Sequence, residues 1–325
     1  MHTYFTYFIK GVASCGVPLF FMVNGAVMLN KSFDIKKHIK KIIATVILTI
    51  LWAIISLLLL IPIKGEYLSI VGLIKALWSW KLGWINHLWF LQSLICIYII
   101  FPLIKVTYDK DKKNIYFFLV VTFILTFGNT LINMLANIAQ WLLTIKVTTF
   151  INFNFFNGFN PLKGFYGYIL VYFILGGLIQ KHIKQINKRI SIKLIITISI
   201  ISMMLLFLYG LFMCNFTNEI YDTVWNGYDT IMILIVSCSI FILSTRVTIN
   251  NIYISKIITI IGMNTLGIYF VHIFIGSVFK PYFILLSLSQ NVFISLFFGL
   301  VVMGVSLYLT LILKRFPLVR LLFKY

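Results

Sequence analysis

The sequence predicts an all-α fold, in which about nine transmembrane helices form a polytopic bundle. Hydrophobic residues make up 61% of the 325 residues and charged residues only 10%, which excludes a soluble domain. Apolar runs of about 20 residues, the length that crosses a hydrocarbon core of about 30 Å as a helix, recur along the whole chain. Nearly all of the positive charge lies in alternate gaps between these runs, which is typical of loops on opposite sides of a membrane.

The predicted spans follow one another with no repeat, linker or low-complexity tract between them. We therefore predict a single membrane domain over residues 1–325, since nothing in the composition divides the chain. The spans lie near residues 11–30, 42–63, 85–105, 115–137, 165–180, 192–212, 229–245, 258–280 and 291–313.

The first predicted span contains residues that are unusual inside a membrane helix. Pro18 lies between Gly16 and Gly25. Because proline removes a backbone donor and glycine permits close approach of a neighbouring helix, we expect this helix to be kinked and tightly packed. Such breaks often line a cavity, and Asn24 on the same helix needs a hydrogen-bond partner there.

The positive charges predict the orientation of the chain. Of 27 Lys and Arg residues, twenty lie in one set of alternate loops and six in the other, with Lys10 left in the N-terminal stub. Since cytoplasmic loops are enriched in Lys and Arg, the C-terminus is predicted to be cytoplasmic and the N-terminus external. The net charge of +20 is assigned in this way to topology and anionic lipid, and not to a nucleic-acid partner.

An odd number of spans with an external start is an uncommon beginning for a polytopic protein. Residues 1–10 are too few to cross a membrane. A missing first helix would restore an even number of spans with both ends in the cytoplasm. We expect such a helix to be absent from this sequence.

The five histidines are the first candidates for a site, because an ionisable side chain is costly in a membrane and histidine transfers protons near neutral pH. His38 and His182 lie among lysines in predicted cytoplasmic loops and are predicted to belong to a solvated basic face. His87 begins a span at its outer end, and His272 lies in the outer half of another. His87 is either an interfacial anchor or part of a site, and His272 is either a core residue or part of a site. His2 stands alone in the N-terminal stub and, from composition, is predicted to be a surface residue. The cysteines lack metal-ligand spacing, so no metal site is predicted.

Four motifs in order resemble those of the membrane acyltransferase-3 family, the O-acyltransferases that modify bacterial cell-surface glycans. They are Gly16-Val-Pro-Leu-Phe-Phe-Met-Val-Asn-Gly25, His87-Leu-Trp-Phe-Leu91, Gly262-Met-Asn-Thr-Leu-Gly-Ile-Tyr-Phe-Val-His272 and Arg315-Phe-Pro-Leu-Val-Arg320. The resemblance covers essentially the whole chain and implies a ten-helix bundle, one helix more than we count. A richness in Ile, Phe, Asn and Lys is typical of an AT-rich bacterial genome, so the expected location is a bacterial cytoplasmic membrane.

The resemblance also implies site residues. The family's catalytic histidine lies a dozen or so residues before the first motif, and His2 precedes Gly16 by 14 residues, which makes His2 the catalytic candidate. His87, His272, Tyr269 and Asn24, which replaces a family serine, are the candidates that line the site. The arginine of the family's first helix has no counterpart here. An inactive truncated acyltransferase is therefore an alternative interpretation.

The acyl donor is expected to bind at a cluster of lysines before the second span. These are Lys36, Lys37, Lys40 and Lys41, at a place where the family often has two arginines three residues apart. Lysine supplies charge to a phosphate but not the bidentate fork of arginine. The resemblance implies acyl-CoA, most simply acetyl-CoA, as a donor substrate and no permanently bound cofactor.

The predicted reaction is transfer of an acyl group to a hydroxyl of an envelope glycan near the outer leaflet. A histidine would act as general base, or would carry the acyl group briefly, and the sequence leaves both roles open. A transporter or exporter of a lipid-linked or polymeric glycan is the main alternative. The kinked helix and the intramembrane polar groups suit it, but we find no inverted repeat and few intramembrane acids.

Overall fold

A computed structural model of the protein describes residues 4–63, 65, 69–79, 85–143, 151–162, 166–217, 227–285 and 292–323. Within this part of the chain the regular structure is entirely helical, which confirms the predicted all-α class. The helices are α1 (Tyr4–Ala13), α2 (Gly16–Leu29), α3 (Ile35–Ile63), α4 (Ile70–Ser79), α5 (Trp89–Lys110), α6 (Lys112–Leu143), α7 (Tyr168–Arg189), α8 (Ile192–Thr217), α9 (Ile231–Ser244), α10 (Ile252–Leu285), α11 (Val292–Leu313) and α12 (Pro317–Arg320).

The helices confirm a multi-pass membrane protein. Among the described residues, seven segments are long and apolar enough to cross a membrane: Tyr7–Leu29, Ile35–Ile63, Asn86–Lys110, Lys112–Leu143, Ile192–Met213, Ile252–Leu285 and Phe293–Leu313. The two remaining predicted spans fall on α7 and α9. Helix α7 carries basic residues in its last turn, and α9 has only 14 residues.

Several helices extend beyond the predicted spans. Helix α3 begins at Ile35 and α7 continues to Arg189, so residues predicted to lie in cytoplasmic loops, including His38 and His182, are helical. The physical reason is that apolar length marks only the part of a helix that crosses hydrocarbon. Lysine is a good helix former, and the helix continues through it into the interface.

The break in the first span lies earlier than its proline predicts. Helix α1 ends at Ala13, and the chain turns through Ser14 and Cys15 before α2 begins at Gly16. The Ser14 hydroxyl donates to the Lys10 carbonyl at 2.8 Å and the Cys15 amide to the Val12 carbonyl at 3.1 Å. Pro18 lies in the first turn of α2, where its missing N–H removes no helical hydrogen bond.

The described helices fall into two compact units. Unit 1 comprises Met1–Phe33 and Ile100–Val247, and unit 2 comprises Asp34–Ile99 and Thr248–Tyr325. Helix α5 contributes its first part to unit 2 and its second part to unit 1. The single membrane domain over residues 1–325 stays a prediction.

In unit 1 the backbones of α2 and α7 approach closely through glycine. A Cβ atom at Gly25 would collide with the carbonyl oxygen of Phe173, and one at Gly176 with the carbonyl oxygen of Met22. Both collisions are with backbone atoms, which a rotamer change cannot relieve. Close packing at Gly25 is therefore confirmed, and α7 supplies the complementary glycine, as in other membrane helix pairs.

The core of unit 2 is built around Trp52 of α3. Its ring stacks on Phe270 of α10 with centroids 4.4 Å apart and an interplanar angle of 5°. Its indole N–H donates to the Leu322 carbonyl at 3.0 Å, and its ring meets Phe323 edge-on at 5.6 Å. The tail after α11 is thereby fixed against α3, so the late basic motif and the Gly262–His272 motif belong to one packed region.

Candidate functional site

The predicted site residues are distributed over both units. His2 lies outside the described residues. Asn24 belongs to unit 1, where its side-chain amide donates to the Phe20 carbonyl of its own helix at 2.9 Å. The other predicted residues, His87, Tyr269, His272 and the four lysines, belong to unit 2.

Unit 2 brings three of the predicted site residues together. Tyr269 and His272 lie one turn apart on α10, with ring centroids 5.9 Å apart. The ring of His87, from the 3₁₀ turn before α5, lies 6.0 Å from that of Tyr269, and the Tyr269 hydroxyl donates to the His87 backbone carbonyl. We call these residues the His–Tyr cluster. It joins two motifs that are 182 residues apart in sequence.

The imidazole of His272 is held by the backbone of its own helix. Its Nδ1 atom lies 2.6 Å from the Tyr269 carbonyl oxygen and 3.2 Å from that of Ile268. A carbonyl oxygen only accepts hydrogen bonds, so Nδ1 is assigned the proton. The neutral ring then carries its lone pair on Nε2, which is the atom that a general base uses.

His272 also lines a cavity between α10 and α11. The cavity has a volume of about 470 Å³ and is mostly apolar. Its polar groups are His272, Ser277 and Lys280, and Gly276 and Gly299 leave open space around their backbones. A volume in the range of about 300–1,000 Å³ with few polar groups is typical of small-molecule sites. An acyl chain fits this chemistry.

The predicted donor-binding lysines lie in the first turns of α3. Lys36, Lys37 and Lys40 are exposed, whereas the ammonium group of Lys41 lies 4.4 Å from the centre of the Tyr98 ring. Asp34 accepts from the backbone amides of Lys36 at 2.9 Å and Lys37 at 3.1 Å, and so caps the helix. The Lys37 ammonium group lies 3.8 Å from the Asp34 carboxylate, and the exposed Lys36 and Lys40 can turn toward an anion in solvent.

The prediction that His38 belongs to a solvated basic face is wrong. Its side chain is 6% exposed, and its Nε2 lies 2.7 Å from the Tyr98 carbonyl oxygen. The reason is helical phase, because the chain is already helical at Ile35 and places His38 on the side that packs on α5. His182 is half-buried, with Nδ1 3.0 Å from the Leu178 carbonyl oxygen of its own helix.

Sequence reasoning missed a second, strongly polar cavity, which lies within unit 1. It has a volume of about 490 Å³. Its lining is shared by α6, the following loop, the start of α7 and the turn before α9, and includes six asparagines: Asn129, Asn133, Asn152, Asn154, Asn157 and Asn160. Thr126, Thr130, Tyr166, Tyr168 and Asp229 add hydroxyls and one carboxyl group.

Three asparagines on α6 attach the loop to that helix. Asn137 accepts from the Ile151 amide at 2.6 Å and donates to the Ile151 carbonyl at 2.9 Å. Asn133 does the same with Phe153, at 2.6 Å and 2.9 Å, and Asn129 accepts from the Phe156 amide at 3.0 Å. We call this series the asparagine ladder. It gives an irregular loop the backbone hydrogen bonds that a partner strand would otherwise supply.

The sequence contains a signal for this cavity. Asn129, Asn133 and Asn137 are spaced by four residues, which places them on one face of a helix. Asparagine also alternates with aromatic residues through the segment 152–160. A search for titratable residues passes over both patterns, because asparagine carries no charge.

A family model described as an acyltransferase domain, Acyl_transf_3, matches residues 1–313. No curated protein and no solved structure matches the chain in the corresponding comparisons. In the described part of the chain, no group of three or more His, Cys, Asp and Glu residues is placed to hold a metal ion. The family match covers nearly the whole length, on a polytopic helical fold that carries the four motifs, and the chain therefore belongs to the acyltransferase-3 family of membrane acyltransferases.

Proposed function

We propose that the protein transfers an acyl group, most simply acetyl, from cytoplasmic acyl-CoA to a hydroxyl of a cell-envelope glycan. The observation that carries the proposal is the family match over residues 1–313. The multi-pass helical fold supports it, because donor and acceptor lie on opposite sides of the membrane and the acyl group must cross. The proposed location is the bacterial cytoplasmic membrane, with the C-terminus inside.

On the donor side, the exposed lysines of α3 support binding of the CoA phosphates. Lys36 and Lys40 are four residues apart on one side of the helix, and Lys37 lies on the adjacent side. Together these lysines provide a positive surface for phosphate, beside the Asp34 carboxylate that caps the helix. Lys41 contributes less in this proposal, because its ammonium group is already over the Tyr98 ring.

At the reacting centre, a histidine takes the proton of the glycan hydroxyl as the hydroxyl oxygen bonds to the thioester carbonyl carbon. The carbon–sulfur bond breaks, and the proton passes to the sulfur of CoA. General-base catalysis of this kind contributes about 10²–10⁴-fold to the rate, and positioning and stabilisation of the oxyanion supply the rest.

Two histidines compete for the role of base. The family resemblance assigns it to His2, and we retain His2 as the proposed catalytic residue. His272 is the rival, since its Nδ1 is bound to backbone and its ring lines the mostly apolar cavity. His87, Tyr269 and Asn24 remain proposed residues of the site lining.

The test is acyl transfer in inside-out membrane vesicles supplied with acetyl-CoA labelled in the acetyl group. We expect label in the envelope glycan as an alkali-labile ester, and none in vesicles without the protein. His2→Ala should abolish labelling at unchanged protein abundance, whereas normal labelling in that variant transfers the role to His272, which His272→Gln then tests. Movement of glycan across the membrane without any labelling would instead support the exporter.

A further inference from the structure

We propose that the asparagine-lined cavity of unit 1 is a binding site for an uncharged oligosaccharide, and that it holds the acceptor glycan. The assignment of the acceptor glycan to this site rests on the proposed function, whereas saccharide binding itself does not. The cavity of about 490 Å³ has a size typical of small-ligand sites. It lies at the end of α6 whose following loop is predicted to be external.

The lining matches the hydrogen-bonding pattern of sugar hydroxyls. Each hydroxyl both donates and accepts, and each asparagine side chain offers two donors and an acceptor on one flat group. Asn152, Asn154 and Asn157 come from the loop and face the cavity together with Asn160. Some of these amides also bond to protein groups, as Asn157 does to Asn154 and Asn160 to the Leu162 amide, but each side chain keeps further donor or acceptor capacity for a hydroxyl.

Aromatic side chains complete the lining. Phe153, Tyr166 and Tyr168 border the cavity, and the rings of the two tyrosines lie 6.1 Å apart. Tyr166 has a φ of 51°, a left-handed conformation that is unfavourable for a tyrosine, and its side chain is 49% exposed. A flat apolar surface beside amides suits the face of a sugar ring, which carries C–H groups as well as hydroxyls.

The charges of the cavity favour a neutral ligand. Among the described lining residues there is no lysine or arginine, and the ionisable acid is Asp229. Burial raises the pKa of the Asp229 carboxyl to about 7. An anionic ligand would meet a carboxyl and no described counter-charge, while a hydroxyl can donate to the carboxylate or accept from the acid.

The asparagine ladder makes the site rigid before a ligand arrives. The loop that carries Asn152, Asn154 and Asn157 is bound to α6 through both the amide and the carbonyl of Ile151 and of Phe153. A preformed loop loses little conformational freedom when a ligand binds, so a larger share of the contact energy appears as affinity. The ladder residues support the loop, and the loop residues contact the ligand.

The experiment measures binding by the purified protein in lipid nanodiscs, without acyl-CoA. The probes are two neutral tetrasaccharides, maltotetraose and the β-1,4-linked tetramer of N-acetylglucosamine, and one anionic tetrasaccharide, tetragalacturonate. The test variant is Asn154→Leu with Asn157→Leu, which removes two amides of the lining and keeps the number and branching of side-chain heavy atoms. The control is Asn250→Leu, an exposed asparagine of unit 2.

We expect millimolar or tighter binding of at least one neutral tetrasaccharide, a loss of tenfold or more in the double variant, and unchanged binding in the control. The proposal is overturned if neither neutral probe binds at millimolar concentration, if the double variant binds as well as the parent, or if tetragalacturonate binds better than both neutral probes.

A second measurement separates this proposal from the proposed function. In the labelled-acetyl assay, the double variant should raise the KM for the glycan acceptor and leave the KM for acetyl-CoA unchanged. Transfer with an unaltered acceptor KM would leave the function standing and remove the cavity from the acceptor path. Saccharide binding without any transfer would leave the binding site standing and contradict the proposed function.

Discussion

Asn137 gives the sharpest test of how the asparagine ladder holds the loop. Its side chain is 2% exposed and forms two hydrogen bonds with one residue, to the amide of Ile151 at 2.6 Å and to its carbonyl at 2.9 Å. Leucine has the same number and branching of side-chain heavy atoms and neither polar group. Each hydrogen bond contributes about 0.5–1.5 kcal/mol net, so Asn137→Leu should lower the local stability of the loop by about 1–3 kcal/mol.

The assay is hydrogen exchange at the Ile151 amide, which reports opening of the loop without unfolding of the helices. A loss of about 1–3 kcal/mol corresponds to exchange that is about 5- to 150-fold faster, since 1.4 kcal/mol is a factor of ten. The matched control is Asn114→Leu near the other end of α6, where Asn114 is exposed and bonds to Asp111. Equal exchange at Ile151 in both variants and the parent would refute the role assigned to the ladder.

Three further outcomes are expected. Gly176→Ala should lower the free energy of unfolding in detergent by about 1–3 kcal/mol or more, because the added Cβ meets backbone atoms of α2. Gly304→Ala is the control and should leave the stability unchanged, because its Cβ meets open space. Replacing Lys37 and Lys40 together by Ala should raise the KM for acyl-CoA severalfold at unchanged membrane abundance, and an unchanged KM would contradict the donor site. Asp229→Asn should stabilise the protein above pH 7 but not near pH 4, as measured by melting curves at a pH above 7 and at pH 4. Burial raises the pKa of the carboxyl to about 7, so above pH 7 the ionised carboxylate opposes folding, and near pH 4 the carboxyl is protonated and does not.

The sequence predicted the helices well because apolar length is a strong constraint in a membrane. A helix that crosses hydrocarbon must satisfy its own backbone groups and must be long enough, so composition alone locates it. Apolar length does not show where a helix stops outside the hydrocarbon. The sequence therefore does not predict that α3 already includes His38 and buries its side chain.

Part of the site could also be predicted. His272 and Tyr269 belong to one motif, and helical spacing places them one turn apart. Their contact with His87 could not be predicted, since it depends on how a turn before α5 packs on α10 across 182 residues of sequence. The tautomer of His272 likewise depends on which ring nitrogen faces the Tyr269 carbonyl, and the sequence does not determine the orientation of the ring.

The sequence does not reveal the asparagine cavity through its charged or ionisable residues. Lysine and arginine reveal which loops are inside, and histidine reveals where a proton can move, but a neutral ligand is bound by groups that carry no charge. On α6, the series Asn129, Asn133 and Asn137 places three amides on one face of an apolar helix, where each is costly without a partner. The loop from Ile151 to Phe156 supplies those partners with its own backbone groups. The amides of the helix and the backbone groups of the loop thus satisfy each other's hydrogen bonds, and the same contacts fix Asn152, Asn154 and Asn157 at the wall of the cavity that we propose binds a saccharide.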